Sequence, residues 1–131
     1  MKVNFIKLLF NKNFGHYSHN ESSNIKMTML GLFLTDDIGC IDINLSSFRD
    51  WAIDDSLGYC VCGNITCLEK NGETILLSDL DEEDDTSNIL EISRQQFVQL
   101  LDDWNNKVCK LKPQEVIIKH ENGEFTIETG N

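Results

Sequence analysis

Two groups of side chains in this chain have types and spacings that could do chemistry. The first is acidic. Asp79, Asp81, Glu82, Glu83, Asp84 and Asp85 form a run, with Asp36-Asp37 and Asp54-Asp55 as two further pairs. Clustered carboxylates can hold a cation or present an acidic face to a basic partner. Asp79-x-Asp81-x-Glu83 has the opening of a calcium loop, but that loop needs Gly at its sixth position and Glu at its twelfth. Those positions hold Asp84 and Leu90, so the calcium reading fails. What remains is a docking surface, set against a solvated loop with no partner. The second group is Cys60, Cys62 and Cys67. A Cys-x-Cys pair with a third Cys nearby can begin a zinc or redox site. On a strand, Cys60 and Cys62 share one face and Cys67 takes the other, unless Gly63 makes a bulge. No fourth ligand is adjacent. These cysteines read as small core residues, and no metal or cofactor is expected.

The histidines add little. His16-x-x-His19 falls in a polar stretch, and His120 falls on the core face of a strand. No nucleophile elbow, Cys/His catalytic motif or Gly-rich phosphate loop is present, so the chain is not read as an enzyme.

Charge narrows the class further. The net charge is −11 over 131 residues, and it is uneven. Positions 36 to 85 hold 14 Asp and Glu against 2 Lys and Arg, a net of −12, which leaves +1 for the remainder. A field of one sign steers a partner of the other sign. It disfavours nucleic acid, whose phosphates require a basic surface. No apolar run approaches the ~20 residues of a membrane helix, and no signal-peptide pattern follows Met1 to Phe10. The reading is a cytoplasmic chain. Its five cysteines, an odd count, are expected as free thiols in a reducing compartment.

The elements that must carry these groups form one domain, 1–131, of α+β class. The expected architecture is an antiparallel or mixed sheet of five to seven strands, with one long helix (about 93–111) and one short helix (about 46–54). The long helix is the clearest element. Ser93 and Gln96 form a capping box, and Ile92 with Phe97 forms a hydrophobic staple. Phe97, Leu100, Leu101, Trp104, Val108 and Leu111 recur on one face. Pro113 stops the helix. Asn122-Gly123 then predicts a type I′ hairpin with Glu121 facing Glu124, His120 facing Phe125, Ile118 facing Ile127 and Val116 facing Thr129. Upstream, residues 2–10 read as a strand with Val3, Phe5 and Leu9 on one face, in preference to a short helix with Val3, Ile6 and Phe10 at helical spacing, and 11–24 as a loop. Residues 26–34 and 38–44 read as two strands joined at Asp36-Asp37. The short helix is capped by Ser46 or Ser47 and shares Phe48, Trp51 and Ala52 on one face. Tyr59 to Leu68 reads as one strand. A second turn at Asn71-Gly72 would set Leu68 opposite Ile75 and Cys67 opposite Leu76, and 80–87 is a loop.

The stretches Ile92-Ser93-Arg94-Gln95-Gln96-Phe97, Leu100-Leu101-Asp102-Asp103-Trp104 and Lys112-Pro113-Gln114-Glu115-Val116-Ile117-Ile118 resemble the C-terminal part of small bacterial immunity proteins of contact-dependent growth inhibition and other polymorphic toxin systems. The resemblance covers roughly the last 40 residues and rests on structural motifs, so it transfers no set of functional residues. It implies a cytoplasmic, non-enzymatic antitoxin that binds a cognate toxin domain, often a basic nuclease, and covers its active site. The acidic centre of the chain suits that role. The expected contacts are Asp79, Asp81, Glu82, Glu83, Asp84 and Asp85, then Asp36, Asp37, Asp54 and Asp55, with Trp51 and Tyr59 as anchors or as core. The alternatives are a non-catalytic acidic adaptor and a small Cys-based metal or redox module.

Overall fold

The structure, a computed structural model, describes residues 3–80 and 88–130. The fold is α+β, with eight strands among the described residues. They form two antiparallel sheets rather than one sheet of five to seven strands. The first sheet has the order β2-β1-β7-β8, from Asn4–Asn11 (β1), Gly15–Ser22 (β2), Glu115–Glu121 (β7) and Glu124–Gly130 (β8). The second has the order β3-β4-β5-β6, from Cys60–Cys62 (β3), Thr66–Asn71 (β4), Thr74–Asp79 (β5) and Leu90–Ser93 (β6). Three α-helices join them: Ile25–Leu32 (α1), Asp42–Ile53 (α2) and Arg94–Asp103 (α3). α1 and α3 each touch strands of both sheets, and α2 packs on α3. Both sheets and all three helices share one apolar core. No helix among the described residues is long and apolar enough to cross a membrane.

The C-terminal third forms as its sequence dictates. The Ser93 side chain accepts from the Gln96 N–H, and the Phe97, Leu100, Leu101, Trp104 and Val108 face is buried. β7 and β8 pair in the predicted register, with Asn122 and Gly123 both at positive φ as a type I′ turn needs. The helix becomes π-helical over Trp104–Cys109 and stops there, so Leu111 falls beyond it and is 72% exposed.

Five upstream expectations are corrected. Residues 11–24 are not a loop: Gly15–Ser22 forms β2, a hairpin partner of β1. On β1 the buried residues are Ile6 and Leu8, not Val3, Phe5 and Leu9. Both faces are apolar there, and pairing with Ile118 and Val116 of β7 decides between them. Residues 26–34 and 38–44 are not strands. Asn24 caps α1 through the Met27 N–H (2.9 Å), and Met27, Leu30 and Leu34 then follow helical spacing. The chain continues through a π-helical stretch, Phe33–Ile38, and reverses at Gly39, whose φ is +60°. α2 begins at Asp42 rather than beside Ser46 or Ser47, while Phe48, Trp51 and Ala52 share its buried face as expected. Finally, the β4–β5 turn holds Gly72-Glu73 at its centre. Leu68 therefore faces Leu77 and Cys67 faces Ser78, two residues from the predicted register but on the same faces. β4 and β5 are the central strands of their sheet, as their two apolar faces require.

Trp104 is the largest fully buried side chain, and its indole N–H donates to the Gly39 carbonyl at 2.8 Å. Trp104→Ala should cost about 3–5 kcal/mol, because it opens a cavity and orphans that carbonyl at once. A thermal melt checks this. A midpoint within a degree or two of the parent would contradict the packing.

Candidate protein-binding surface

The acidic residues do not form one surface. Asp37 is only 6% exposed. Its carboxylate accepts from the N–H groups of Asn64 (2.7 Å), Ile65 (3.0 Å) and Thr66 (3.0 Å) and from the Thr66 hydroxyl (2.5 Å). That places Asp37 inside the fold rather than in an interface. It also explains why Tyr59 to Leu68 is two strands: the carboxylate organises a turn between β3 and β4, closed by the Gly63 N–H to the Thr66 carbonyl at 2.8 Å. A Cβ on Gly63 would collide with that carboxylate, so this position needs glycine.

Trp51 is likewise core rather than anchor. It is 3% exposed, meets Phe97 edge-on, and carries the Lys70 ammonium 4.8 Å from its ring centre. Asp36 and Asp79 sit near the Asp37 end of the second sheet: Asp36 is exposed beside Asp37, and Asp79 pairs with Thr66. Asp81, Glu82, Glu83, Asp84 and Asp85 lie outside the described residues.

Asp54 and Asp55 lie at the other end. The Asn71–Thr74 pair is five residue steps from Thr66–Asp79, or about 17 Å along the strands. α2 ends there, and its terminal carbonyls need donors. Lys70 supplies its ammonium to the carbonyls of Trp51 (2.7 Å) and Asp54 (3.1 Å). Arg94 supplies its guanidinium to the carbonyls of Ala52 (2.9 Å) and Ile53 (3.3 Å). Both cations also suit the negative end of the helix dipole. Asp55 pairs with Arg94 at 3.0 Å and lies 3.9 Å from Lys70. Asp54 accepts from the Ser56 hydroxyl and N–H, which together with Lys70 hold its carboxyl below the usual range.

The stretch so pinned presents apolar side chains. Ile53, Leu57 and Tyr59 are 54%, 52% and 67% exposed, on either side of exposed Asp54 and Asp55. Of the expected anchors, Tyr59 is available and Trp51 is not. Ile53 and Leu57, and the cations Lys70 and Arg94 that hold them, escaped the sequence reading. The available signal was large apolar residues on both sides of an acidic pair at a helix end.

The cysteines overturn the free-thiol expectation and the core one: Cys60 and Cys62 are exposed and Cys67 is only half-buried. Cys40 is bonded to Cys109 and Cys62 to Cys67, leaving Cys60 free and exposed. The β3–β4 turn sets Cys62 directly opposite Cys67, which alternation along one strand could not foresee. Among the described residues no group of three or more His, Cys, Asp or Glu is placed to hold a metal. His16 binds the Pro113 carbonyl at 2.7 Å, and burial lowers its pKa against the opposing effect of that bond. The His19 side chain lies outside the described residues. His120 stacks on Phe125 at 4.0 Å, and burial, then the charge of Lys26, lowers its pKa.

No protein-family model, curated protein or solved structure matches the chain.

Asp37→Asn should destabilise the fold by at least about 2 kcal/mol, because an amide cannot accept from all four donors. Asp36→Asn, on the exposed neighbour, should stay within about 0.5 kcal/mol of the parent. Equal melts for the two variants would contradict the burial of Asp37. The Cys40–Cys109 bond spans 69 residues and Cys62–Cys67 spans 5. In the loop-closure model they contribute about 4 and about 2 kcal/mol. Denaturant titration of Cys40→Ala/Cys109→Ala should therefore show the larger loss. A larger loss in Cys62→Ala/Cys67→Ala would contradict it.

Proposed function

We propose that this chain is an immunity protein that binds and neutralises a basic toxin domain, most plainly a nuclease, by covering its active site. The observation that carries the reading is the pinned stretch 53–59, where exposed Ile53, Leu57 and Tyr59 flank the adjacent pair Asp54-Asp55. Tight interfaces need a desolvated apolar centre with a charged rim, and this stretch offers both. Lys70 and Arg94 hold its backbone, so little ordering entropy is lost on binding. The remaining acids, from Asp79 through Asp85 with Asp36, supply a field that steers Lys- and Arg-rich partners. The C-terminal resemblance to immunity proteins supports the same role. A cytoplasmic antitoxin meets reducing conditions, in which both cysteine pairs become dithiols. The docking stretch is held by Lys70 and Arg94, so binding should survive a reductant.

The test begins with the neighbouring gene, where a large secreted protein with a basic C-terminal domain is expected. Expression of that domain should arrest growth, and this chain should restore it. Leu57→Ala/Tyr59→Ala should weaken the complex at least about tenfold, chiefly through faster dissociation. Asn and Gln replacements from Asp79 to Asp85 should slow association at low salt and flatten its salt dependence. Full protection by the Leu57/Tyr59 variant would move the interface elsewhere. No protection by the parent chain would end the antitoxin reading.

A further inference from the structure

We propose that the cleft between the β1–β2 turn and the end of α3 binds a small planar aromatic acid. This site is separate from the 53–59 stretch and does not rest on the antitoxin reading.

The cleft encloses about 260 Å³, just below the about 300–1,000 Å³ of ordinary small-molecule sites. Its walls carry rings. Half-buried Phe10 and His16 meet at 4.9 Å, buried Trp104 backs His16 edge-on at 6.3 Å from inside the core, and Phe14 is 66% exposed beside them. His16 donates one ring nitrogen to the Pro113 carbonyl, which fixes the imidazole plane. Such surfaces favour a flat ring, stacked or edge-on.

The charge is the second observation. Lys12 and Lys112 line the cleft, and no Asp or Glu does. That is unusual in a chain of net charge −11. Lys7, Arg49, Lys70, Arg94 and Lys119 each lie within ion-pair distance of a carboxylate. Lys12 and Lys112 make no ion pair among the described residues, as is also true of Lys26, Lys107 and Lys110, none of which lines the cleft. A positive cleft in a negative chain selects an anion.

The third observation is backbone. Lys112 has φ +48°, a left-handed conformation that glycine adopts at a helix end without penalty. Its N–H donates to the Val108 carbonyl at 2.9 Å. Glycine would take that turn at lower cost, and the lysine there lines the cleft instead. Rings on the walls and two unpaired ammonium groups together specify one flat ring bearing one acid group.

The test is a two-dimensional amide NMR titration of the full chain with benzoate, its neutral isostere benzamide, and acetate. Benzoate should shift the resonances of Lys12 to His16, Thr35 and Gly39 saturably. Benzamide and acetate should each bind at least about fivefold more weakly, since each lacks one half of the match. Lys12→Gln/Lys112→Gln should lower benzoate affinity about tenfold with an unchanged melting temperature, because both lysines are exposed. Equal affinity for benzamide would show that the lysines do not select the ligand. Equal affinity for acetate would show that the rings do not. Unchanged benzoate affinity in the double variant, or no saturable shifts at these residues, would overturn the site.

Discussion

One buried carboxylate joins the two halves of this molecule. Asp37 leaves the π-helical extension of α1 and ends among three successive N–H groups and one hydroxyl of the β3–β4 turn. A carboxylate removed from water is costly unless its oxygens are satisfied, and four donors satisfy these two. The constraint runs both ways. The turn cannot close without an acceptor for its N–H groups, and the carboxylate cannot remain inside without the turn. Gly63 is the geometric condition, since any Cβ there would occupy the carboxylate's place. The second sheet is thereby set against the helical layer, which in turn packs on the first sheet.

A second tether determines what the surface presents. α2 ends in carbonyls that have no intrahelical partner, and Lys70 from β4 and Arg94 from α3 cap them together. Lys70 also covers the face of Trp51, so one side chain links the core to the loop. The consequence is a tethered rim that offers Ile53, Leu57 and Tyr59 to solvent around the Asp54-Asp55 pair. The remaining described acids near Asp37 lie about 17 Å away along the sheet. A standard interface covers about 800 Å² per partner, large enough to use one end for anchoring and the other for steering.

Elements whose information is local were legible in the sequence. The capping box at Ser93 and the Asn122-Gly123 turn each specify their geometry within a few residues, and both formed in register. Elements that depend on distant partners were not. The run Lys26 to Leu34 is apolar enough for strand or helix, and only the Asn24 cap with the spacing of Met27, Leu30 and Leu34 separates the two. The β3–β4 turn depends on a carboxylate 27 to 29 residues away. The disulfides join Cys40 to Cys109 across the fold and Cys62 to Cys67 across that same turn. The site divides in the same way. The acidity was visible as composition, but its split into one buried acid and two separated groups required the fold.

Amide hydrogen exchange on the chain, alone and bound to the toxin domain proposed as its partner, tests the docking claim most directly. Slow exchange at Asn64, Ile65 and Thr66 is expected in both states, because the Asp37 carboxylate holds those N–H groups. New protection on binding is expected across 53–60. Protection confined to the β8 edge or the α3 end, with 53–60 unchanged, would contradict the proposed surface.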